Sequence, residues 1–137
     1  MFEWKNEYLM GVTAIDEQHK QLFRMGARFR DAIAAHKGKA MLEELLDSLA
    51  RYMEGHFQVE ERLMSSIDYP EREQHMAQHR DLHERLLNLQ KRFDGGETIT
   101  IQVLQFLSAW LNEHTATTDG RLGAYYRMKK EAGVTSA

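Results

Sequence analysis

Residues 56–79 read HFQVEERLMSSIDYPEREQHMAQH, and this stretch decides the fold. His56 and Glu60 stand four apart before the Asp68-Tyr69-Pro70 break; His75 and His79 stand four apart after it. Side chains four apart share one face of an α-helix. A break this short makes the two helices antiparallel neighbours, which places all four polar groups near one turn.

Working outward, four amphipathic segments are expected, at about 15–36, 40–67, 70–93 and 98–118. The first stops at Lys37-Gly38, read as a helix C-terminal signal. Pro70 suits the first turn of the third, which ends at Asp94-Gly95-Gly96. The end of the fourth is blurred by Thr115, Thr117, Thr118 and Gly120, so residues 121–130 are either its continuation or a short fifth helix. Residues 1–14 form an arm with Trp4, Tyr8 and Leu9 available to pack, and residues 131–137 form a frayed tail. The class is all-α: an up-down-up-down four-helix bundle in one domain, 1–137.

Each segment carries a seam of apolar residues at alternating steps of three and four. The seams run through Ile15, His19, Leu22, Gly26, Phe29 and Ile33; through Leu42, Leu46, Leu49, Met53, His56, Glu60, Leu63 and Ile67; through His75, His79, Leu82, Leu86, Leu89 and Phe93; and through Leu104, Leu107, Leu111 and His114. Five histidines and a glutamate therefore take core positions. In an antiparallel bundle, the start of the first and third helices and the end of the second and fourth are the same end. The polar groups converge there.

Asp119 joins them only on a condition. Five residues beyond His114 is about 500° around an ideal helix, about 140° off the histidine's face. A π-bulge, or a helix loosened across the threonines, is expected between them.

A lone buried histidine is more often a hydrogen-bonded core residue than a ligand. Seven polar groups at one end are different, because an unpartnered buried carboxylate costs several kcal/mol. Imidazole suits iron, copper, nickel and zinc, and a carboxylate can bridge two ions. Five nitrogens and two carboxylates exceed one tetrahedral zinc and suit two octahedral ions with one position open. Of the other histidines, His83 is expected beside the core and His36 at the far end, about 25 Å from His19.

Composition narrows the alternatives. The chain has no cysteine, which excludes thiol catalysis, disulfides and iron–sulfur ligation. A net charge of −3 with 18 scattered basic residues offers no nucleic-acid stripe. No run approaches the ~18 apolar residues of a membrane span, and MFEWKNEYLMG carries no secretory pattern. A cytoplasmic domain is expected. No Gly-rich phosphate loop or Ser/His/Asp pattern stands out.

At these residues the chain resembles the bacteriohemerythrins. The similarity covers most of the chain, including Trp4, GVTAIDEQHKQLF, HFQVEE, YPEREQHMAQH and WLNEHTATTD. The resemblance implies two iron ions (Fe2+/Fe3+) bridged by an oxo or hydroxo group, with O2 as ligand. It implies that His75, His79 and His114 hold one ion, that His19 and His56 hold the other beside the open position, and that Glu60 and Asp119 bridge them. Leu22, Phe57 and Leu111 would line the O2 pocket with Thr115, where the family usually has isoleucine. Reversible dioxygen binding, for storage, delivery or sensing, is the expected function, with a monomer and no identified protein partner. The competing readings are a di-iron enzyme reducing O2, peroxide or nitric oxide, and a metal-free structural bundle. Histidine-rich ligation favours binding, since oxygen-activating bundles carry more carboxylates.

Overall fold

The computed structural model describes residues 2–136, with side chains through residue 133. Its helices are α1 (Thr13–Ala34), α2 (Gly38–Ser66), α3 (Arg72–Asp94) and α4 (Thr100–Ala109). A π-helical segment, Trp110–Thr118, then leads directly into α5 (Asp119–Ser136). Among the described residues there is no strand. Of the two alternatives for residues 121–130, the structure has the continuation: the fourth helix runs on through the π segment, and residues 131–136 of the expected frayed tail are helical as well. α1 packs on α2, α2 on α3, α3 on the π segment and α1 on α4, which closes the four-helix ring.

Three helix ends share one device. The N–H of Lys37, Tyr69 and Glu97 each donates to a carbonyl five residues back, on Ala32, Met64 and Arg92, at 2.7, 3.0 and 3.0 Å. The preceding residue is left-handed in each case: His36 at φ 60, Asp68 at φ 51 and Gly96 at φ 89. This is the Schellman ending, which satisfies carbonyls the helix leaves unpaired. Gly38 is therefore not the stop of α1, as the sequence suggested; His36 is. Gly38 opens α2 instead, where an added Cβ would lie 2.6 Å from Ile33. Pro70 likewise lies in the turn, and α3 begins two residues later at Arg72.

The core follows the expected seams with local changes. Val103, Phe106, Leu107, Trp110 and Leu111 are buried, whereas Leu104 is only partly so. At the end of α2, Met64 is fully buried and Leu63 half-buried, because Met64 continues the four-residue steps from His56 and Glu60. In the arm, Trp4 and Tyr8 pack on Phe23 with ring centroids 5.4 Å away. Leu9 is exposed; Phe2 and Met10 are the buried arm residues.

The arm also holds α5. Asp16, itself buried, accepts hydrogen bonds from the N–H of Met10 and Gly11 at 2.8 and 3.2 Å. Arg127 donates to the carbonyls of Leu9 and Met10, both at 3.1 Å. Gly123 lets the two segments touch, since a Cβ there would come within 2.9 Å of the Met10 Cα. Met10, Ile15, Met64, Tyr69 and Leu122 form a small second core beneath this junction. No described helix is long and apolar enough to cross a membrane.

Candidate metal centre

All seven sequence-selected groups are buried and meet at one end of the bundle. The four elements bring them in at a common depth, as the antiparallel argument required. The π segment solves the Asp119 problem. The Asp119 N–H donates to the His114 carbonyl, five residues back, so one extra residue fits into the turn. The threonines support it: Thr117 and Thr118 hydroxyls donate to the carbonyls of Asn112 and Glu113, each five residues back, at 3.3 Å.

The donors separate into two overlapping sets. Glu60, His75, His79, His114 and Asp119 can turn one atom each to a common point, as can His19, His56, Glu60 and Asp119. The carboxylates belong to both. Glu60 Oε1 lies 3.0 Å from Nε2 of His75 and of His79, and its Oε2 lies 3.2 Å from His19 Nε2 and 2.5 Å from His56 Nε2. Asp119 Oδ1 lies 3.0 Å from His75 Nε2 and 3.2 Å from His114 Nε2, while its Oδ2 lies 3.0 Å from His19 Nε2. Each carboxylate thus gives one oxygen to each histidine set.

These groups suit a cation better than they suit one another. Both Asp119 oxygens are buried near ring nitrogens yet receive no hydrogen bond of sound geometry. Nε2 atoms also face each other, at 3.0 Å for His19 and His56 and 3.1 Å for His79 and His114. Buried polar groups in folded proteins are normally satisfied; here both Asp119 oxygens, which face the histidine nitrogens, are among the unsatisfied atoms. Five imidazoles and two carboxylates fit nitrogen-preferring transition metals such as iron.

An outer ring of acceptors fixes the tautomers. His56 Nδ1 donates to Gln18 Oε1 at 2.6 Å, His79 Nδ1 to Glu61 Oε2 at 3.0 Å, and His114 Nδ1 to Gln78 Oε1 at 3.1 Å. A proton held on Nδ1 leaves the Nε2 lone pair facing inward. Gln78 also accepts from Thr118 at 2.7 Å, and the Gln18 carbonyl accepts from Tyr52 at 2.6 Å.

Electrostatics agree. Burial opposes charging His19, His75 and His114, but the carboxylates of Asp119 and Glu60 outweigh it. His19 is raised to about 9 and His114 to about 10. Burial pushes both carboxyls up, yet the surrounding imidazoles hold Glu60 and Asp119 well below their ordinary values. The site draws positive charge, and protons and a metal ion would compete for the same nitrogens.

The residues named as pocket neighbours are all buried. Leu22, Phe57 and Leu111 lie in the main apolar core, and Thr115 is buried with its hydroxyl unpartnered. Phe57 stacks flat on His79, with centroids 3.8 Å apart and planes at 3°. His83 is exposed beside the groove that reaches His79, and His36 is exposed where α1 ends.

Tyr52, Trp110, Gln18, Gln78 and Glu61 were not singled out from sequence. Tyr52 stacks on His56 at 5.0 Å, and Trp110 lies 6.0 Å from Tyr52. A signal existed: Tyr52 and Trp110 stand four residues before His56 and His114, and Gln18 and Gln78 immediately precede His19 and His79.

Fold and donor set together define a helical-bundle cation-binding protein. The family described as the hemerythrin HHE cation binding domain matches residues 10–126, and the chain belongs to that family. It is 31% identical over 118 residues to a bacteriohemerythrin of Methylococcus capsulatus, covering 85% of this chain and 89% of that one. It is 29% identical over 116 residues to one from Stenotrophomonas maltophilia, covering 85% and 75%, and 27% identical over 124 residues to one from Clostridium acetobutylicum, covering 87% and 96%.

Proposed function

We propose that this protein binds dioxygen reversibly at a non-haem di-iron centre. His75, His79 and His114 would hold one iron, His19 and His56 the other, and Glu60 and Asp119 would bridge them. The observation that carries the reading is the division of each carboxylate, one oxygen toward each histidine set. When bound, two ferrous ions would supply the two electrons that dioxygen takes up. The two-histidine set has one nitrogen fewer, so the open position belongs there.

The chain's own residues do the rest. The outer acceptors orient the imidazoles, and Leu22, Phe57 and Leu111 exclude water from the centre. One feature favours a second reading, a di-iron enzyme reducing O2, peroxide or nitric oxide. Thr115 buries an unpartnered hydroxyl immediately after the ligand candidate His114, and facing the centre it would admit water or pass a proton.

Iron per chain, followed by cycles of exposing the ferrous protein to O2 and removing it, separates the readings. A ferric–oxygen absorption band that appears and disappears over several cycles supports binding. Irreversible oxidation with turnover of added peroxide or nitric oxide supports the enzyme. Absence of iron uptake refutes both.

A further inference from the structure

The three outer acceptors differ in charge. Gln18 and Gln78 present neutral amide oxygens to His56 and His114, whereas Glu61 presents a carboxylate to His79. His19 and His75 have no Nδ1 partner. The three-histidine set therefore contains one carboxylate-backed imidazole, and the two-histidine set none.

Glu61 is built into this place. It follows Glu60 in α2 but turns away from the centre, its side chain one-third exposed in the groove between α2 and α3. Among the described residues its only ion-pair partner is His79. Phe57 covers one face of that imidazole. A carboxylate behind a ligating histidine fixes its ring and makes it a stronger electron donor than an amide would.

We propose that Glu61 is a positioning residue that makes the two metal positions electronically unequal. Acting through the Nδ1 proton of His79, it enriches Nε2 in electron density and favours the more highly charged ion at the position formed by His75, His79 and His114. This rests on the two-metal reading of the cluster.

The test compares wild type with Glu61→Gln, which keeps an acceptor oxygen and removes its charge. In zinc-loaded protein, the His79 Nδ1 proton is expected in the NMR spectrum of both, shifted upfield in the variant. In iron-loaded protein, two ions are expected per chain in both. One of the two one-electron potentials should rise in the variant by about 59 mV, a tenfold loss of preference for the ferric ion, with the other little changed. Equal shifts of both potentials, or none, with two ions bound, overturn the proposal while leaving the two-metal reading intact. Fewer than two ions in wild type refutes that reading and this proposal with it. Gln18→Glu provides the converse variant. It places a carboxylate behind His56 and should lower the other potential; an unchanged pair of potentials there counts equally against the proposal.

Discussion

Asp119 reaches His19 with Oδ2 at 3.0 Å while its Oδ1 stands 3.0 Å from His75. The end of the π segment is thereby tied to both α1 and α3 through one short side chain. Glu60 makes the matching connection from α2.

Asp119→Asn tests that relationship with little change of volume. In the proposed centre it would remove the charge that bridges the two ions, and the amide nitrogen is no ligand. Bound metal should fall from two ions per chain toward one or none, read by elemental analysis after dialysis. Full retention of two ions would show that Asp119 is not required.

Acidity gives an independent handle on the metal-free protein. His19 and His114 hold protons up to about 9 and 10 in the fold, against 6.5 for an ordinary histidine. Between those values the folded state binds more protons than the unfolded one, so stability falls as pH rises. Their contribution is complete below about 6.5. The depressed carboxyls act oppositely: their contribution is present above the ordinary carboxylate range and lost in acid. Urea midpoints measured in chelator should peak between about pH 5 and 6.5 and decline through pH 10. Midpoints that climb above pH 7 would contradict this assignment.

Thr115 invites two substitutions. Its hydroxyl is buried without a partner, and such a group costs about 1–3 kcal/mol. Thr115→Val should raise the melting temperature of the metal-free protein by removing that cost at constant shape. Thr115→Ile, in the iron-loaded protein, should slow conversion of the oxygenated form to the ferric form. Unaltered autoxidation would remove Thr115 from the proposed pocket.

The junction of arm and α5 is tight at Gly123, where a methyl group would meet the Met10 backbone. Backbone yields less readily than a flexible side chain. Gly123→Ala should destabilise the fold by about 1–3 kcal/mol, visible in thermal unfolding. Gly120→Ala, where an added Cβ meets nothing within 4 Å, is the control and should not destabilise.

Much of the centre was legible because its chemistry follows helical spacing. His56 with Glu60, and His75 with His79, share a face at four-residue steps, and the Asp68-Tyr69-Pro70 break sets the two pairs opposite each other. Even the irregularity at Asp119 showed as a step that no regular helix satisfies. The end of the first helix was less legible, because His36 takes the left-handed position that the Lys37-Gly38 signal was expected to supply. Glu61 was not singled out, because its neighbour Glu60 holds the seam position and only side-chain direction reveals the bond from His79. The arm's bonds to Arg127 join opposite ends of the chain, and no local pattern announces them.

The extra residue in the π turn also decides which neighbour its carboxylate sees. On α2, four residues separate histidine from glutamate, and Glu60 Oε2 turns back onto the histidine of its own helix. On the last helix five residues separate the pair, and the π turn keeps Asp119 Oδ1 3.2 Å from His114 while Oδ2 crosses the bundle to α1. The two helices resemble differently cut keys: the same pair of teeth, with one blank rotated by a single notch. A regular helix would hold the carboxylate on its own side or turn it outward; the irregular one lets it fasten the first helix to the last.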